Sequence, residues 1–542
     1  MSAKQILDKR FSAETGGPRW RKALKGAFLG AASLVLLASA AAAADSVTFK
    51  GQTFVNQGLV GVARVPSDTV DRFGDTLGGI GSAMAMDLDS WHKNRDGSYS
   101  GTLYMSPDKG WNTQGTVDFP GRVHRFDITL HPFSGASTNA QNQLRMRYVT
   151  SALLHESTDL FHRRGHARGD FTPTTGLDAT EVRPSFLHFP DLPVAPNGHI
   201  AVDDEGVVLP GDGTMWVSDE YGPYVYHYTS SGLLIGVIRP PAAFIPMRPD
   251  SQGHVVENFS ANNPPIGVTY DPSPGNPVSG RQNNQGFEGL AMSPDRHTLY
   301  VLLQSATIQD LDPANTKTTR RNTRLLAYDV HGPEPKLVGE YVVQLPLYQD
   351  QTTTKTKLLI AAQSELFALN DHQFLVLARD SNGGYTDPSP GSVYRSVDLI
   401  DIKGATNIAG TAYDQPSKPI APLGVLDSSI TPVAYQKFLD INDNTQLNRF
   451  GLHNGAPSDA NDLYEKWESL AVVPVGDPKA PDDYFLFVGS DNDFITQHGH
   501  MAGQPYADAS GFNVDTLVLV YRVTLPSYVA PKHFGDFAFD RR

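Results

Sequence analysis

Gly286-Phe287-Glu288-Gly289-Leu290-Ala291-Met292 sets a glutamate in front of a short apolar run, and Thr298-Leu299-Tyr300-Val301-Leu302-Leu303-Gln304 follows as a second run. The same order recurs three times. Asp204-Glu205-Gly206-Val207-Val208 precedes Thr214–Glu220, Ser364-Glu365-Leu366-Phe367-Ala368 precedes Gln373–Asp380, and Trp467-Glu468-Ser469-Leu470-Ala471-Val472 precedes Tyr484–Asp491. A weaker copy lies upstream, Gly79–Met86 then Thr102–Asp108, with Ser82 or Gly81 where the others carry Glu. A third apolar segment follows each pair: Arg122–Leu130, Tyr224–Tyr228, Arg324–Val330, Val397–Ile402 and Thr516–Val523.

A repeat in fixed order identifies architecture before any single residue does. The segments are short, rich in Val, Leu, Tyr and Phe, and bounded by Gly, Pro, Asp and Asn, which reads as strands. Helical periodicity is nearly absent; one short helix is expected at Pro432–Leu439. Successive glutamates stand 83, 77 and 103 residues apart, longer than a minimal four-stranded blade of about 40–45 residues. The expectation is an all-β chain forming a β-propeller with long loops and blades of four antiparallel strands. Five signatures are visible, so five to seven blades are allowed, with a degenerate sixth in 156–200 or 405–460. Ser46–Val55 is placed to close the ring.

Arg19, Arg21, Lys22 and Lys25 precede an apolar Ala/Leu run from Ala27 to Leu37, and small residues lead to Ala44-Asp45. Residues 1–44 therefore read as a signal peptide, 45–530 as one domain and 531–542 as a tail. An uncleaved anchor helix is the alternative; after processing no stable membrane span is expected. Residues 45–542 carry 37 Lys and Arg against 56 Asp and Glu, a net charge of −19. That balance argues against nucleic acid, whose phosphates demand basic surfaces, and suits bound divalent cations. The chain has no cysteine, which excludes disulfides and thiol chemistry. Export to a bacterial periplasm or the extracellular space is expected.

The first strand of a propeller blade lines the axis. Glu205, Glu288, Glu365 and Glu468 are therefore expected to converge from four blades. Crowded carboxylates raise one another's pKa unless a cation or arginine neutralises them. Oxygen-only ligands suit Ca²⁺. Asp108, Asp219, Glu220, Gln304, Asp380, Asp491, Asn492 and Asp493, at the ends of second strands, add oxygens at the same rim. The candidate metal ligands are thus Glu205, Asp219, Glu220, Glu288, Asp380, Glu468, Asp491 and Asp493, and the candidate catalytic residues are Glu288, Glu365 and Arg379. A polar residue kept in a repeat also locks blades together by bonding backbone amides, the purely structural alternative for each glutamate. Arg379 is expected to pair with Glu365 or to clamp an anionic oxygen. Arg320-Arg321-Asn322-Thr323-Arg324 is a solvated charge run or a phosphate-binding loop above the axis.

No G-x-S-x-G or H-E-x-x-H is present, and Gly78-Gly79-Ile80-Gly81 completes no dinucleotide fingerprint. His162/His166 and His498/His500 lack partners for a metal site.

Val217-Ser218-Asp219-Glu220-Tyr221-Gly222-Pro223, Asn284-Gln285-Gly286-Phe287-Glu288-Gly289-Leu290-Ala291, Ser364-Glu365-Leu366, Leu377-Ala378-Arg379-Asp380 and Ser490-Asp491-Asn492-Asp493-Phe494, in this order, resemble the phytase-like domain family, "esterase-like activity of phytase". The resemblance spans roughly residues 75–525. It implies an exported propeller that hydrolyses esters or phosphoesters. Ser82 departs from the pattern in the first blade, and few lysines cluster for a polyphosphate substrate unless calcium bridges it. The reading is a calcium-dependent hydrolase acting on a small anionic or ester substrate. The alternatives are a sugar lactonase, whose metal sets are richer in Asn and Asp, and a non-catalytic binding scaffold.

Overall fold

The computed structural model describes residues 45–157, 171–184, 189–271, 273–351, 357–386 and 391–531. The expected leader, the His162/His166 pair and the tail from residue 532 lie outside them. Among the described residues no helix is long and apolar enough to cross a membrane.

Five sheets form the ring. An N-terminal hairpin comes first, β1 (Asp45–Phe49) and β2 (Gln52–Val65). Blade 1 is β3 (Ala83–Lys93), β4 (Tyr99–Ser106), β5 (Arg122–Leu130) and β6 (Leu144–Leu153). Blade 2 is β7 (Asp204–Val208), β8 (Thr214–Asp219), β9 (Val225–Thr229) and β10 (Leu234–Ile238). Blade 3 is β11 (Phe287–Met292), β12 (Thr298–Leu303), β13 (Asn322–Asp329) and β14 (Lys336–Gln344). Blade 4 is β15 (Ala362–Ala368), β16 (Gln373–Arg379), β17 (Arg395–Asp401) and β18 (Ala434–Asp440). Blade 5 takes β19 (Trp467–Pro474), β20 (Asp483–Ser490) and β21 (Thr516–Thr524) from the C-terminal part. Strand β2 completes it by pairing antiparallel with β21, and β1 adds an outer fifth strand. Closure thus uses residues 52–65 and joins the two ends of the described chain.

The described residues of 156–200 contribute short two-stranded hairpins, and no sixth blade is formed among them. Residues 405–460 supply the outer strand of blade 4. The helix expected at Pro432–Leu439 is this strand instead: β17 has an unpaired edge, and Ala434–Asp440 satisfies its backbone groups.

Apolar faces of adjacent blades pack between the sheets. Leu375, Leu377, Val397 and Leu399 of blade 4 meet Leu470, Val472, Leu486 and Val488 of blade 5, with Leu59 and Val62 from the closing strand. Blades buried on both sides explain the near-continuous apolar runs in β12, β16 and β20. Innermost strands β3, β7, β11, β15 and β19 each pack against the innermost strands on either side, which closes the axis.

The inner strands carry a bulge. Asp204 faces Asp219 and Gly206 faces Ser218, leaving Glu205 as the extra residue. Trp467 faces Ser490 and Ser469 faces Gly489, leaving Glu468. Phe287 faces Leu303 and Leu290 faces Val301, which puts the irregularity at Glu288-Gly289. In blade 4 Gln363 faces Ala378 and Glu365 faces Leu377, so the extra residue is Ser364. A bulge re-aims the extra side chain, and a one-residue offset redirects it. Glycine follows the bulge where blades touch: a Cβ on Gly206 would lie 2.7 Å from the Glu288 carbonyl oxygen, and one on Gly289 2.8 Å from the Leu366 nitrogen.

Leu59→Ala tests closure. Leu59 is fully buried and faces Tyr521 across the β2–β21 ladder. The expected loss is about 2–5 kcal/mol in urea denaturation; a loss below about 1 kcal/mol would show that ring closure does not hold the fold.

Candidate functional site

The bulges gather three of the four motif glutamates. Glu205, Glu288 and Glu468 are buried, and the Glu468 carboxylate helps push the pKa of both Glu205 and Glu288 up. Gln304, just past β12, donates its amide to Glu288 Oε1. Glu288 Oε2, Glu468 Oε2 and Glu220 Oε1 are buried without a hydrogen-bond partner. Glu365 is placed elsewhere: its Oε1 accepts the backbone N–H groups of Leu366 at 2.7 Å and Leu290 at 3.2 Å. The carboxylate locks blade 4 to blade 3. The register offset is the cause, and Ser364 stands where blades 2, 3 and 5 present Glu.

Arg379 pairs with Glu468, not with Glu365, and its Nε donates to Ser364 Oγ at 3.1 Å. The bulge serine turns the guanidinium across the axis to the neighbouring blade.

Two lysines complete the site, and the sequence reading missed both. Lys109 follows β4; its Nζ contacts Asp203 and lies 2.8 Å from Asn284 Oδ1 and 3.7 Å from Glu220 Oε2. Lys466 precedes β19; its Nζ contacts Asp491 and lies 3.0 Å from Asp493 Oδ1, 3.5 Å from Glu468 Oε2 and 3.6 Å from Asp108 Oδ2. Asp203, directly before β7, was also missed. The available signal was local: each of these charges adjoins a motif, in Asp108-Lys109, Asp203-Asp204-Glu205 and Lys466-Trp467-Glu468.

The rim residues divide by use. Asp219 accepts the backbone N–H groups of Asp203, Tyr221 and Gly222 at 2.8–3.0 Å. Asp380 accepts from Ser392 Oγ and the amides of Val393 and Tyr394 at 2.7–3.0 Å. Both therefore brace their own loops. Asp108, Asp203, Glu205, Glu220, Glu288, Glu468, Asp491 and Asp493 share the mouth; among the described residues Lys109, Lys466 and Arg379 form ion pairs with them, and the buried Arg281 acts on Glu220. The charged run 320–324 is not a solvated loop either. Arg324 is fully buried between Asp310 and Glu340, at 2.9 and 3.0 Å, because β13 carries it into the sheet.

Burial dominates the electrostatics. It pushes Asp108 up to about 7 against the pull of Lys466, and Glu220 up to about 8 against the pull of Lys109. It raises Glu205 and Glu288 well above the usual range, with neighbouring carboxylates adding repulsion. Burial alone would lower Lys109 and Lys466, but the surrounding carboxylates outweigh it and keep both charged.

Oxygens of Asp108, Asp203 and Glu205 lie within 4.8 Å of one another, as do those of Asp108, Asp491 and Asp493. The second trio is filled by the Lys466 ammonium. The first touches Lys109 through Asp203 and Lys466 through Asp108, at 3.6 Å, and its Glu205 is near enough to Glu220 and Glu288 for their charges to repel it. All donors are oxygens, and two ligands about 2.3–2.6 Å from one ion stand within about 5 Å of each other. The first trio fits a hard divalent cation.

The model of the family described as Phytase-like, "esterase-like activity of phytase", matches residues 96–494. The chain belongs to the phytase-like family. This phytase-like protein is also 42% identical over 475 residues to an "Uncharacterized secreted protein" of Arthroderma benhamiae, covering 82% of this chain and 88% of that one. Among solved structures it is similar to a luciferin-regenerating enzyme, with TM-score 0.26 and 11% identity over 88% of this chain and 98% of that one. It is also similar to the WD40 domain of Toxoplasma gondii coronin, with TM-score 0.23 and 8% identity over 88% and 89%.

Two outcomes follow from the charge balance. Lys466→Met leaves Asp108, Glu468, Asp491 and Asp493 facing one another without their ammonium. Breaking a buried pair costs about 3–5 kcal/mol, to be read by denaturant titration at pH 8; an unchanged midpoint would remove Lys466 from the balance. The second concerns pH. Carboxyls raised on folding bind protons in the folded state that the unfolded chain has released above about pH 4. Their stabilisation is complete below that pH and is lost as pH rises through the folded values of about 7 for Asp108 and about 8 for Glu220. In chelator, the melting temperature should fall between pH 6 and 9, and Glu220→Gln should flatten that slope.

Proposed function

We propose that this phytase-like protein is an exported, calcium-dependent hydrolase of phosphate or related esters, working at the acidic mouth of the ring. One observation carries the reading: the metal-spaced trio Asp108, Asp203 and Glu205 stands beside Glu288, whose buried Oε2 has no partner. The name of the secreted relative supports export.

Asp108, Asp203 and Glu205 would hold the cation. A calcium ion held there would supply polarisation of an ester oxygen and a lowered pKa for bound water. Glu288 takes the proton of the attacking water at Oε2 as the water oxygen bonds to phosphorus and the phosphorus–oxygen ester bond breaks. The departing alkoxide takes a proton from solvent, while Gln304 on Oε1 fixes the carboxylate's orientation. Desolvation makes Glu288 a stronger base than a surface carboxylate. Arg379, held by Glu468 and Ser364, offers positive charge to developing negative oxygen. Glu365 has no part in the chemistry, because its carboxylate oxygen is committed to two backbone amides.

A non-catalytic binding propeller is the second reading. It is favoured by Lys109 and Lys466, which already neutralise part of the mouth as a structural ion would.

Glu288→Gln keeps size and one acceptor but removes charge and basicity. Turnover of a model phosphoester should drop about 10²–10⁴-fold with little change in melting temperature. Full turnover with a lowered melting point would make Glu288 structural. EDTA should lower the melting temperature and excess Ca²⁺ restore it, by preferential binding to the folded state; identical melts in both would leave no role for the ion.

A further inference from the structure

The mouth is not uniformly acidic. Blade 4 presents Ser364 where blades 2, 3 and 5 present Glu, and two arginines gather on that side. Arg379 spends Nη2 on Glu468 and Nε on Ser364; its Nη1 makes no hydrogen bond among the described residues. Arg320 comes from the end of a helical turn, Thr316–Thr319, that packs against Leu358–Ile360, the segment leading into β15. Its carbonyl accepts the N–H of Ala306, two residues past the Gln304 that holds Glu288. The Arg320 guanidinium has no carboxylate partner among the described residues, and its Nε is buried without a hydrogen bond. Arg379 is near enough to repel it. Tyr348 also faces Arg320, and its ring packs in one apolar cluster with Ala361, Ala378 and Tyr394. Burial pushes the Tyr348 hydroxyl up to about 12, so it stays a donor at neutral pH.

We propose that Arg320, Arg379 and Tyr348 form an anion subsite at the blade 3–4 side of the mouth, which takes the phosphoryl oxygens of a phosphomonoester. The inference deepens the hydrolase reading and rests on it for the ester, but not for the anion. A half-buried guanidinium without a counter-ion is an incomplete pair, and a planar fork matches phosphate oxygens. The acidic trio on blades 1 and 2 and the basic pair on blades 3 and 4 then flank Glu288. A phosphate held by the arginines would present its ester oxygen toward that carboxylate. Nonionic esters gain nothing from the pair, so the substrate class is set by the blade 3–4 side of the mouth.

The test is calorimetric titration of the full-length protein with inorganic phosphate in calcium-containing buffer, for the native chain, Arg320→Gln, Arg320→Lys and Tyr348→Phe. Arg320→Gln should weaken phosphate binding about 10–100-fold, the loss of one charge-assisted contact. Arg320→Lys should recover part of it, and Tyr348→Phe should weaken it several-fold. Arg320 has no side-chain hydrogen bond or ion pair to lose among the described residues, so the melting temperature of Arg320→Gln in phosphate-free buffer should not fall. In parallel, KM for 4-nitrophenyl phosphate should rise in Arg320→Gln while KM for 4-nitrophenyl acetate stays level. Equal phosphate affinity in the native chain and Arg320→Gln, or no phosphate binding by either, overturns the subsite. Phosphate binding that Arg320→Gln abolishes, in a protein that hydrolyses neither ester, upholds the subsite and overturns the hydrolase reading.

Discussion

Taking carboxylates out of water at the ring axis is the constraint on which the rest of the structure depends. Eight acidic side chains meet at one mouth: Asp108, Asp203, Glu205, Glu220, Glu288, Glu468, Asp491 and Asp493. Desolvation penalises each charge, and mutual repulsion adds to it. Lys109, Lys466 and Arg379 answer with internal cations that reach across blades: Lys109 from blade 1 to Glu220 of blade 2, Lys466 from blade 5 to Asp108 of blade 1, Arg379 from blade 4 to Glu468 of blade 5. These cations cannot be removed singly without leaving buried charge behind. Among the described residues these cations, with Arg281 beside Glu220, are fewer than the carboxylates they serve. The remainder is left to bound protons, for which the raised pKa values speak, or to a divalent ion.

Backbone geometry places that charge. In blades 2, 3 and 5 the ladder opens at the motif glutamate, turning a side chain that would lie between sheets toward the mouth. Blade 4 opens one residue earlier, at Ser364, and this single offset separates Glu365 from its apparent equivalents. The consequence is chemical as well as structural. Glu365 becomes a clamp on the amides of Leu290 and Leu366, and the side of the mouth left without a glutamate is the side where arginines stand.

Farther along the same inner strands the axis turns apolar. Met84, Val207, Leu290, Leu366 and Leu470 line a cavity of about 140 Å³ there, with Tyr528 at its edge. Asp87, Asp89, Ser293, Glu365 and Arg296 share that lining, so polar groups are not confined to the mouth. The low dielectric of the apolar portion also strengthens the field acting on the carboxylates beside it.

The sequence by itself determined the three inner strands of each blade, their grouping and the closed ring, while the outer strand of blade 4 read as a helix. Short apolar runs bounded by turn residues are local signals, and their repetition in fixed order is architecture; β5 was legible to the residue. It also determined that acidic side chains would crowd the axis, because the inner-strand position of Glu205, Glu288 and Glu468 follows from the repeat. Pairing register is not local. Whether Ser364 or Glu365 occupies the bulge depends on how β15 meets β16, so a pattern of glutamate before apolar residues cannot separate them. Nor is partner choice local. Arg379 meets Glu468 across 89 residues of chain, and Lys466 meets Asp108 across the closure of the ring. Only the tertiary structure decides such contacts, because blades far apart in sequence become neighbours through packing, and desolvation then selects which charges pair.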